Sequence, residues 1–153
     1  MKIKLIALFS TLFLFIAGCG TAAGDGKEED QNTNGGGIVA GEMVQSISAL
    51  GDYQFVLTIQ NNTEQKQTLT FSSSQDYDYQ IKDSKGEVLY TYSADKAFLQ
   101  AVEEEILIQG ERLEFQIDAK EALPYLEKGD YKLEAWVTAN DVDGKTSIEF
   151  HYK

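Results

Sequence analysis

Apolar residues recur at every second position along most of the chain from residue 38 onward. In one stretch, for example, Phe55, Leu57 and Ile59 are each separated by a single β-branched residue. Because successive side chains of a β-strand point to opposite faces, this period of two predicts strands with one buried face. Residues 38–153 are therefore expected to form an all-β domain. The same alternation recurs at residues 69–71, 77–82, 113–117, 133–137 and 148–152.

Short polar turns separate these stretches. Their spacing predicts about eight strands in an antiparallel β-sandwich, rather than alternating strands and helices. Two connections have weak patterns. Residues 93–100 are expected to form a turn of helix or a crossover, and residues 120–126, which contain Pro124, a short 3₁₀ or helical link. The turn dipeptides are Asn61-Asn62, Lys85-Gly86, Gln109-Gly110 and Asp143-Gly144.

The amino terminus has a different composition from the remainder of the chain. Lys2 and Lys4 precede an apolar run at residues 5–16, which is shorter than the ~20 residues that a membrane-spanning helix requires. A short positive segment followed by an apolar run of this length is typical of a signal peptide.

The end of the apolar run is similar to a bacterial lipobox, in which an aliphatic residue, a small residue and glycine precede a cysteine. In such a sequence the thiol accepts a diacylglyceryl group, with acyl chains such as palmitate, and cleavage leaves the cysteine as the first residue. We interpret residues 1–18 as a cleaved signal peptide and Cys19 as the lipidation site; the alternative is an ordinary secretory signal with an unrelated cysteine. Lipid on Cys19 would hold the protein at the extracytoplasmic face of the cell membrane. The residues are Ile16-Ala17-Gly18-Cys19.

Residues 19–37 are expected to comprise the lipidated cysteine and a flexible linker. They contain no aromatic or large aliphatic side chain, so they cannot bury enough surface to order themselves. The 18 residues after Cys19 would have a root-mean-square reach of roughly 23 Å. Without residues 1–18, the chain has 11 basic residues against 25 acidic ones, a formal charge of −14, and would be repelled by anionic headgroups. The linker would hold the domain just off the membrane.

Composition excludes several functions. The whole chain has a formal charge of −12, which argues against a nucleic-acid partner. One cysteine and one histidine exclude a disulfide within the chain and cysteine- or histidine-rich metal sites. We expect no metal, no cofactor and no enzymatic activity, because His151 is predicted to be a surface residue and Cys19 carries lipid. Residues 103–105 are acidic, but adjacent strand residues point to opposite faces, which favours a solvated strand edge over a catalytic pair.

Two further patterns have structural explanations. Residues 140–144 are faintly similar to a calcium-binding loop, but Ala139 and Phe150 occupy the first and twelfth ligand positions, so a hairpin turn is favoured. Residues 61–63 match a glycosylation sequon, which we interpret as turn chemistry.

Four segments, in order, resemble the BsuPI family of intracellular proteinase inhibitors. The resemblance covers residues 44–152, with Ser74, Tyr79 and Tyr92 where glycine, phenylalanine and tryptophan are common in that family. It implies an immunoglobulin-like β-sandwich that binds and inhibits a serine proteinase. The segments are FVLTIQNN at residues 55–62, TLTFSSSQDYDY at 68–79, YSADKAF at 92–98 and GDYKLEAW at 129–136.

The resemblance and the lipobox together give two hypotheses for function. A lipid-anchored member would meet its partner outside the membrane, as an inhibitor of a secreted or envelope serine proteinase. The alternative is a non-inhibitory module that binds another envelope protein, such as an adaptor or adhesion domain. A rigid exposed loop would favour inhibition, whereas a broad aromatic patch around Trp136 would favour the alternative.

Three places are candidates for contact with a partner. The first is a polar loop between two apolar strands, and the second lies in the weakly patterned connection. Both have a structural alternative, namely capping by polar side chains and a local ion pair. The third is Trp136, which is predicted on the opposite face from Leu133 and is either covered or exposed for binding. The candidate residues are Ser73, Ser74, Gln75, Asp95, Lys96 and Trp136.

Overall fold

The computed structural model describes residues 3–5 and 41–153. Most of the proposed signal peptide lies outside these residues, as do Cys19 and the proposed linker. The described residues form ten strands and one 3₁₀ helix, and none of their helices is long and apolar enough to cross a membrane. The strands are β1 Ile3–Leu5, β2 Met43–Gly51, β3 Gln54–Asn61, β4 Gln67–Phe71, β5 Tyr77–Lys82, β6 Val88–Thr91, β7 Glu103–Leu107, β8 Arg112–Asp118, β9 Gly129–Val137 and β10 Thr146–Tyr152, and the 3₁₀ helix is Ala119–Tyr125.

The strands form three antiparallel sheets, which confirms the all-β, antiparallel expectation. The first sheet has the order β1-β8-β3-β2, the second β10-β9-β5-β6, and the third pairs β4 with β7. In the first sheet Leu57 lies opposite Phe115, and in the second Tyr79 lies opposite Ala135. Because directly opposed residues point to the same face, each of these sheets has one continuous apolar face.

The apolar faces of the three sheets share one core. Along β3 and β8 the buried positions alternate as the sequence predicts, and replacing a buried phenylalanine such as Phe71 with alanine would cost about 3–5 kcal/mol. Phe150 is only half-buried because β10 is an edge strand. The buried apolar residues are Phe55, Leu57, Ile59, Leu69, Phe71, Tyr79, Ile81, Leu107, Leu113, Phe115, Ile117, Ala119, Ala122, Leu126, Tyr131, Leu133, Ala135, Val137 and Ala139.

Strand β2 is not predicted by the alternation. It raises the number of strands in residues 41–153 to nine, against the eight expected. It is an edge strand of the first sheet, and Ser48, Ala49 and Leu50 are all exposed. An edge strand that buries few side chains needs little apolar alternation, so its sequence carries a weak signal.

The turn between β2 and β3 also lacks the usual sequence signal. Asp52 and Tyr53 have φ of 52° and 58°, in the left-handed region, which aspartate adopts fairly often but a bulky residue such as tyrosine rarely does. The Tyr53 ring packs edge-on against Phe150 and Tyr152, at centroid distances of 6.3 and 5.7 Å. These contacts hold Tyr53 in its unfavourable backbone conformation.

The two weakly patterned connections differ from each other. Residues 119–125 form the expected 3₁₀ helix, and the Asp118 carboxylate caps it by accepting from the Lys120 backbone N–H at 3.1 Å. The other connection contains no turn of helix and is a crossover, the second expected alternative, because it runs from β6 in the second sheet to β7 in the third. A turn at residues 92–95 is followed by irregular backbone as far as residue 102.

Candidate functional site

The polar loop at residues 72–76 joins β4 to β5, and the segment after β9 holds it in place. The Ser72 hydroxyl contacts Asn140 Oδ1 at 3.0 Å, and the Thr138 hydroxyl donates to the Gln75 carbonyl. Within the loop, Ser73 Oγ accepts from the Gln75 backbone N–H at 3.2 Å. The predicted candidates Ser73 and Gln75 are therefore half-buried parts of a hydrogen-bonded loop, which we call the 72–76 loop.

The third candidate of this loop, Ser74, makes the connection to the second candidate region. Its backbone N–H donates to the Leu99 carbonyl at 2.9 Å, and its Oγ accepts from the Leu99 N–H at 3.0 Å. Four residues further on, Glu103 pairs with Phe71 in the β4–β7 ladder. We call residues 96–102 the 96–102 loop. This loop is therefore held to the same short stretch of chain at two points, Leu99 within the loop and Glu103 just after it.

The 96–102 loop is also exposed. Leu99 is 76% exposed and Val102 is 72% exposed, and Gln100 and Ala101 between them are exposed as well. Phe98, just before the loop's first fixed point, is half-buried and packs on Tyr92 with ring centroids 6.3 Å apart. The loop therefore presents an accessible peptide between anchored ends.

A buried carboxylate fixes the start of this connection. Asp78 is 7% exposed, and its Oδ2 accepts from the Ser93 hydroxyl at 2.6 Å. Its Oδ1 accepts from the backbone N–H groups of Tyr79, at 2.8 Å, and Ser93, at 3.2 Å. Sequence analysis missed this role, although both residues lie in the family segments. The hydrogen bonds therefore connect an aspartate of the second family segment with a serine of the third.

Lys96 forms an ion pair, but its partner is distant in sequence and lies on the 3₁₀ helix. Its Nζ lies 2.6 Å from Glu121 Oε2 on the 3₁₀ helix and 4.5 Å from the centroid of the Tyr92 ring. The hydrogen bond to Glu121 raises the pKa of Lys96. Its neighbour Asp95 is exposed in the preceding turn. The two residues therefore have different surroundings, although they are adjacent in sequence.

The Tyr92 ring connects this ion pair to the edge of the core. It stacks on Tyr77 and Tyr79, with centroids 5.2 Å apart in both cases. Burial raises the pKa of both Tyr77 and Tyr79 well above the ordinary value, so these side chains stay neutral in any physiological medium. The Tyr77 hydroxyl donates to the Gln116 carbonyl at 3.1 Å and so joins the second sheet to β8 of the first.

Trp136 is half-buried on the outward face of β9, where it lies directly opposite Asp78. The Lys145 ammonium lies 3.8 Å from the centroid of its indole ring. Lys145 also contacts Glu134 at 3.4 Å, and Glu134 receives a second cation, Lys82, at 2.9 Å. The prediction that Trp136 points away from the core face is confirmed, and one side of its ring is covered by a cation.

The Asn pair of the first family segment has a structural role. Asn61 is fully buried, and its Nδ2 donates to the carbonyls of Gln65 and Leu107, both at 2.8 Å. Its Oδ1 accepts from the Thr63 N–H and hydroxyl at 2.9 and 2.7 Å. A sugar could not be attached to a side chain enclosed in this way, which agrees with turn chemistry for the sequon.

The remaining candidate groups lie apart from these loops. His151 is exposed and its Nδ1 is 2.8 Å from Asp130 Oδ1. Among residues 41–153, no three His, Cys, Asp or Glu side chains are grouped so that they could hold a metal ion. The calcium-like residues 140–144 belong to the connection between β9 and β10, which Gln45 Nε2 holds through the carbonyls of Asp143 and Gly144.

Comparison with known families identifies the domain. Residues 42–142 match the family of BsuPI intracellular proteinase inhibitors. This chain belongs to the BsuPI family. It is therefore a proteinase-inhibitor domain rather than an enzyme, and the family implies a proteinase as partner. No curated protein matches the chain. The match includes all four family segments, so the family resemblance is confirmed as far as residue 142, whereas the sequence resemblance extended to residue 152.

Proposed function

We propose that this BsuPI-family chain is an extracytoplasmic lipoprotein that inhibits a serine proteinase outside the membrane. The observation that carries the inhibitory part is the 96–102 loop, whose exposed peptide is held at Leu99 and at Glu103 by one neighbouring stretch. Inhibitors that act on an enzyme cleft gain affinity when the binding loop is already ordered in the free protein. A chain with one cysteine cannot order a loop with an internal disulfide, and here hydrogen bonds serve instead.

The arrangement of the sheets supports an immunoglobulin-like sandwich. Strands β8, β3 and β2 face strands β10, β9, β5 and β6 across a shared core, as in the two-sheet packing of that fold. Proposed cleavage after Gly18 would remove β1, which pairs with β8 at the sheet edge. The buried apolar residues lie between Phe55 and Ala139, so the core survives that cleavage.

The lipobox at residues 16–19 supports the proposed location. The family description places its members inside the cell, whereas an apolar run of this length ending in Gly18-Cys19 is typical of an exported, lipid-anchored protein. The match begins at residue 42, after the proposed linker, so the inhibitor domain and the anchor occupy separate parts of the chain. A lipid-anchored inhibitor would act on a secreted or envelope proteinase.

Anchoring can be tested by replacing the proposed lipidation residue. Cys19→Ser should leave the chain as uncleaved precursor or release it from the membrane fraction, because the serine hydroxyl does not accept the diacylglyceryl group. Cell fractionation and the mass of the mature chain measure this, with Thr21→Ser as a control. A Cys19→Ser chain that is processed and sediments like wild type would refute the lipoprotein proposal.

Inhibition can be tested with the full chain in detergent. Micromolar protein should lower the initial rate of a serine proteinase of the subtilisin, chymotrypsin or trypsin type toward a small peptide substrate. Electrophoresis of the same mixture should show the chain intact, which separates an inhibitor from a competing substrate. If no proteinase is inhibited and the chain is digested, the non-inhibitory envelope module replaces this proposal. The exposed side chains of Ile106 in β7 and Ile108 just after it would then be the first surface to test for an envelope partner.

A further inference from the structure

The geometry points to Leu99 as the residue that enters the primary specificity pocket of the target, and so to a serine proteinase with an apolar pocket. This inference rests on the proposed inhibitory function. Leu99 is not among the six candidates that sequence analysis gives. Four observations carry it: the exposure of Leu99, its bracing, the accessible peptide that follows it, and the contrast with other exposed apolar residues.

Exposure is the first observation. At 76%, Leu99 is the most exposed large apolar side chain in the part of the chain that the structure describes. Leaving a leucine in water costs free energy that burial in an apolar pocket would recover. On its amino-terminal side, Phe98 packs on Tyr92 and Lys96 is held by Glu121, so these two side chains do not share its exposure. The exposed stretch of the loop therefore begins with the leucine.

Bracing is the second observation. Both backbone polar groups of Leu99 are used, since its carbonyl accepts from the Ser74 N–H and its own N–H donates to Ser74 Oγ. The 72–76 loop that supplies Ser74 is itself fixed by Thr138 and Asn140. An anchor residue whose backbone is already ordered loses little conformational entropy on binding. Leu99 is thus exposed in its side chain and fixed in its backbone.

The accessible peptide is the third observation. A proteinase cleft takes several consecutive residues, and residues 99–104 are all exposed in a row. The Ser74 and Ala101 N–H groups both donate to the Leu99 carbonyl, at 2.9 and 3.0 Å, so this carbonyl is held within the domain and only the Leu99 side chain is offered to the pocket. Val102, 72% exposed, supplies a second apolar contact three positions later. Glu104 follows as an exposed acid, which favours a target with basic groups on the leaving-group side of its cleft.

The fourth observation is a contrast with the other exposed apolar residues. Leu50 is 59% exposed, but it lies within β2, whose backbone is paired with β3. Val88 and Leu89 lie in β6, Ile106 lies in β7, and Tyr125 ends the 3₁₀ helix. Ile108 is 56% exposed outside the strands, but it begins the short turn to β8, which the Glu111 N–H closes on the Ile108 carbonyl at 3.0 Å. Leu99 and Val102 lie in irregular backbone outside the sheets. Leu50 is therefore a matched control, an exposed leucine at a bulge of a hairpin, between Ala49 and Gly51, which both pair with β3.

The test is a change of specificity in the full chain, in detergent, with chymotrypsin and trypsin as probes. Chymotrypsin has an apolar primary pocket and trypsin an acidic one. Wild type should inhibit chymotrypsin in preference to trypsin. Leu99→Asp should raise the inhibition constant for chymotrypsin by at least about 30-fold, as expected for an interface hot spot. Leu99→Lys should transfer inhibition to trypsin.

Leu50→Asp and Leu50→Lys are the control variants, and both should inhibit chymotrypsin and trypsin as wild type does. Thermal unfolding should confirm that all four variants fold.

The outcomes separate this inference from the proposed function. If wild type inhibits but Leu99→Asp stays within about threefold of it, Leu99 is not the anchor, although the protein is an inhibitor. If wild type prefers trypsin, the assignment of an apolar pocket is wrong. If Leu99→Asp dissociates a dimer in size-exclusion chromatography and leaves inhibition unchanged, Leu99 contacts a second copy of the chain and the inference is overturned. If wild type inhibits neither these probes nor a subtilisin-type enzyme, the proposed function fails and the assignment of Leu99 fails with it.

Discussion

The residues of the family segments and the residues exposed to a partner occupy neighbouring but different parts of this domain. Asp78 and Ser93 carry family positions, and they form a buried hydrogen-bonded pair. Leu99 and Val102 fall just outside the segments, and they are among the most exposed apolar residues. In this chain the family segments therefore supply the support of the 96–102 loop, and the most exposed apolar residues of the loop lie outside them.

Ser74 lies where the two regions meet. It belongs to the second family segment, yet its two hydrogen bonds are made to Leu99. This position departs from the family pattern, where glycine is common. A glycine could supply the backbone N–H but not the hydroxyl acceptor, so the serine adds one of the two bonds that fix the loop. The comparison predicts that variants on the support side change stability, whereas variants on the loop side change binding.

The largest effect is expected at Asp78. Asp78→Ala removes the acceptor for the N–H groups of Tyr79 and Ser93 in a buried setting, and should lower the free energy of unfolding by about 3 kcal/mol. Leu99→Ala, at an exposed position, should change it by less than about 0.5 kcal/mol. Urea denaturation monitored by tyrosine fluorescence measures both. Asp78→Asn, which keeps one acceptor oxygen, should lie between them. Equal losses of unfolding free energy in Asp78→Ala and Leu99→Ala would show that the buried support and the exposed loop do not have separate roles.

The strands that form the support could be predicted because they bury one face. Leu57 and Leu133, for example, stand in regular alternation with polar residues, and both are fully buried in the structure. Strand β2 and its turn could not be predicted in this way. The strand is an exposed edge, and the turn uses Asp52 and Tyr53 in a backbone conformation that no local sequence signal marks.

The loop could not be predicted for a different reason. Its conformation depends on Ser74, which lies 25 residues away in the chain, and no local pattern records so distant a contact. Exposure of Leu99 likewise depends on which of the described residues pack beside it in three dimensions, which sequence does not show. Their loop chemistry makes Ser73 and Gln75 candidates, and both are hydrogen-bonded within the 72–76 loop, which also supplies Ser74.

An intermediate effect is expected at Ser74. Ser74→Ala removes the acceptor for the Leu99 N–H and keeps the bond from the Ser74 N–H, so the fold should lose less than about 1 kcal/mol. Inhibition should weaken by about fivefold to tenfold, because the loop must now be ordered on binding. The loosened loop should also be cut more readily after Leu99. Inhibition constants and the amino-terminal sequence of the fragments measure these changes.

Ser73→Ala is the matched control for this prediction. It removes a neighbouring hydroxyl whose partner, the Gln75 N–H, lies within the same loop. It should therefore leave the inhibition constant near that of wild type. If both serine variants weaken inhibition equally, the 72–76 loop contacts the proteinase directly, as the sequence suggested, and does not act through Leu99.

The smallest effect is expected on the outward face of the second sheet, where Lys82 and Lys145 both contact Glu134 beside Trp136. The hydrogen bond to Lys82 is the main cause that lowers the pKa of Glu134 below its ordinary value. A carboxyl group whose pKa is lower in the folded state stabilises the fold above its unfolded pKa, and this contribution is lost as pH falls through the lower folded value. The fold should therefore lose about 1 kcal/mol or less as the pH falls below about 4.5.

Glu134→Gln should remove this part of the pH dependence. The control variant Glu149→Gln, at an exposed position of the same face, should retain it. Urea denaturation between about pH 7 and about pH 3 measures the difference. Inhibition at neutral pH should be unchanged in both variants, because this face supports the domain without contacting the 96–102 loop in the proposed mode of binding. A loss of inhibition in Glu134→Gln alone would instead place the partner on the Trp136 face.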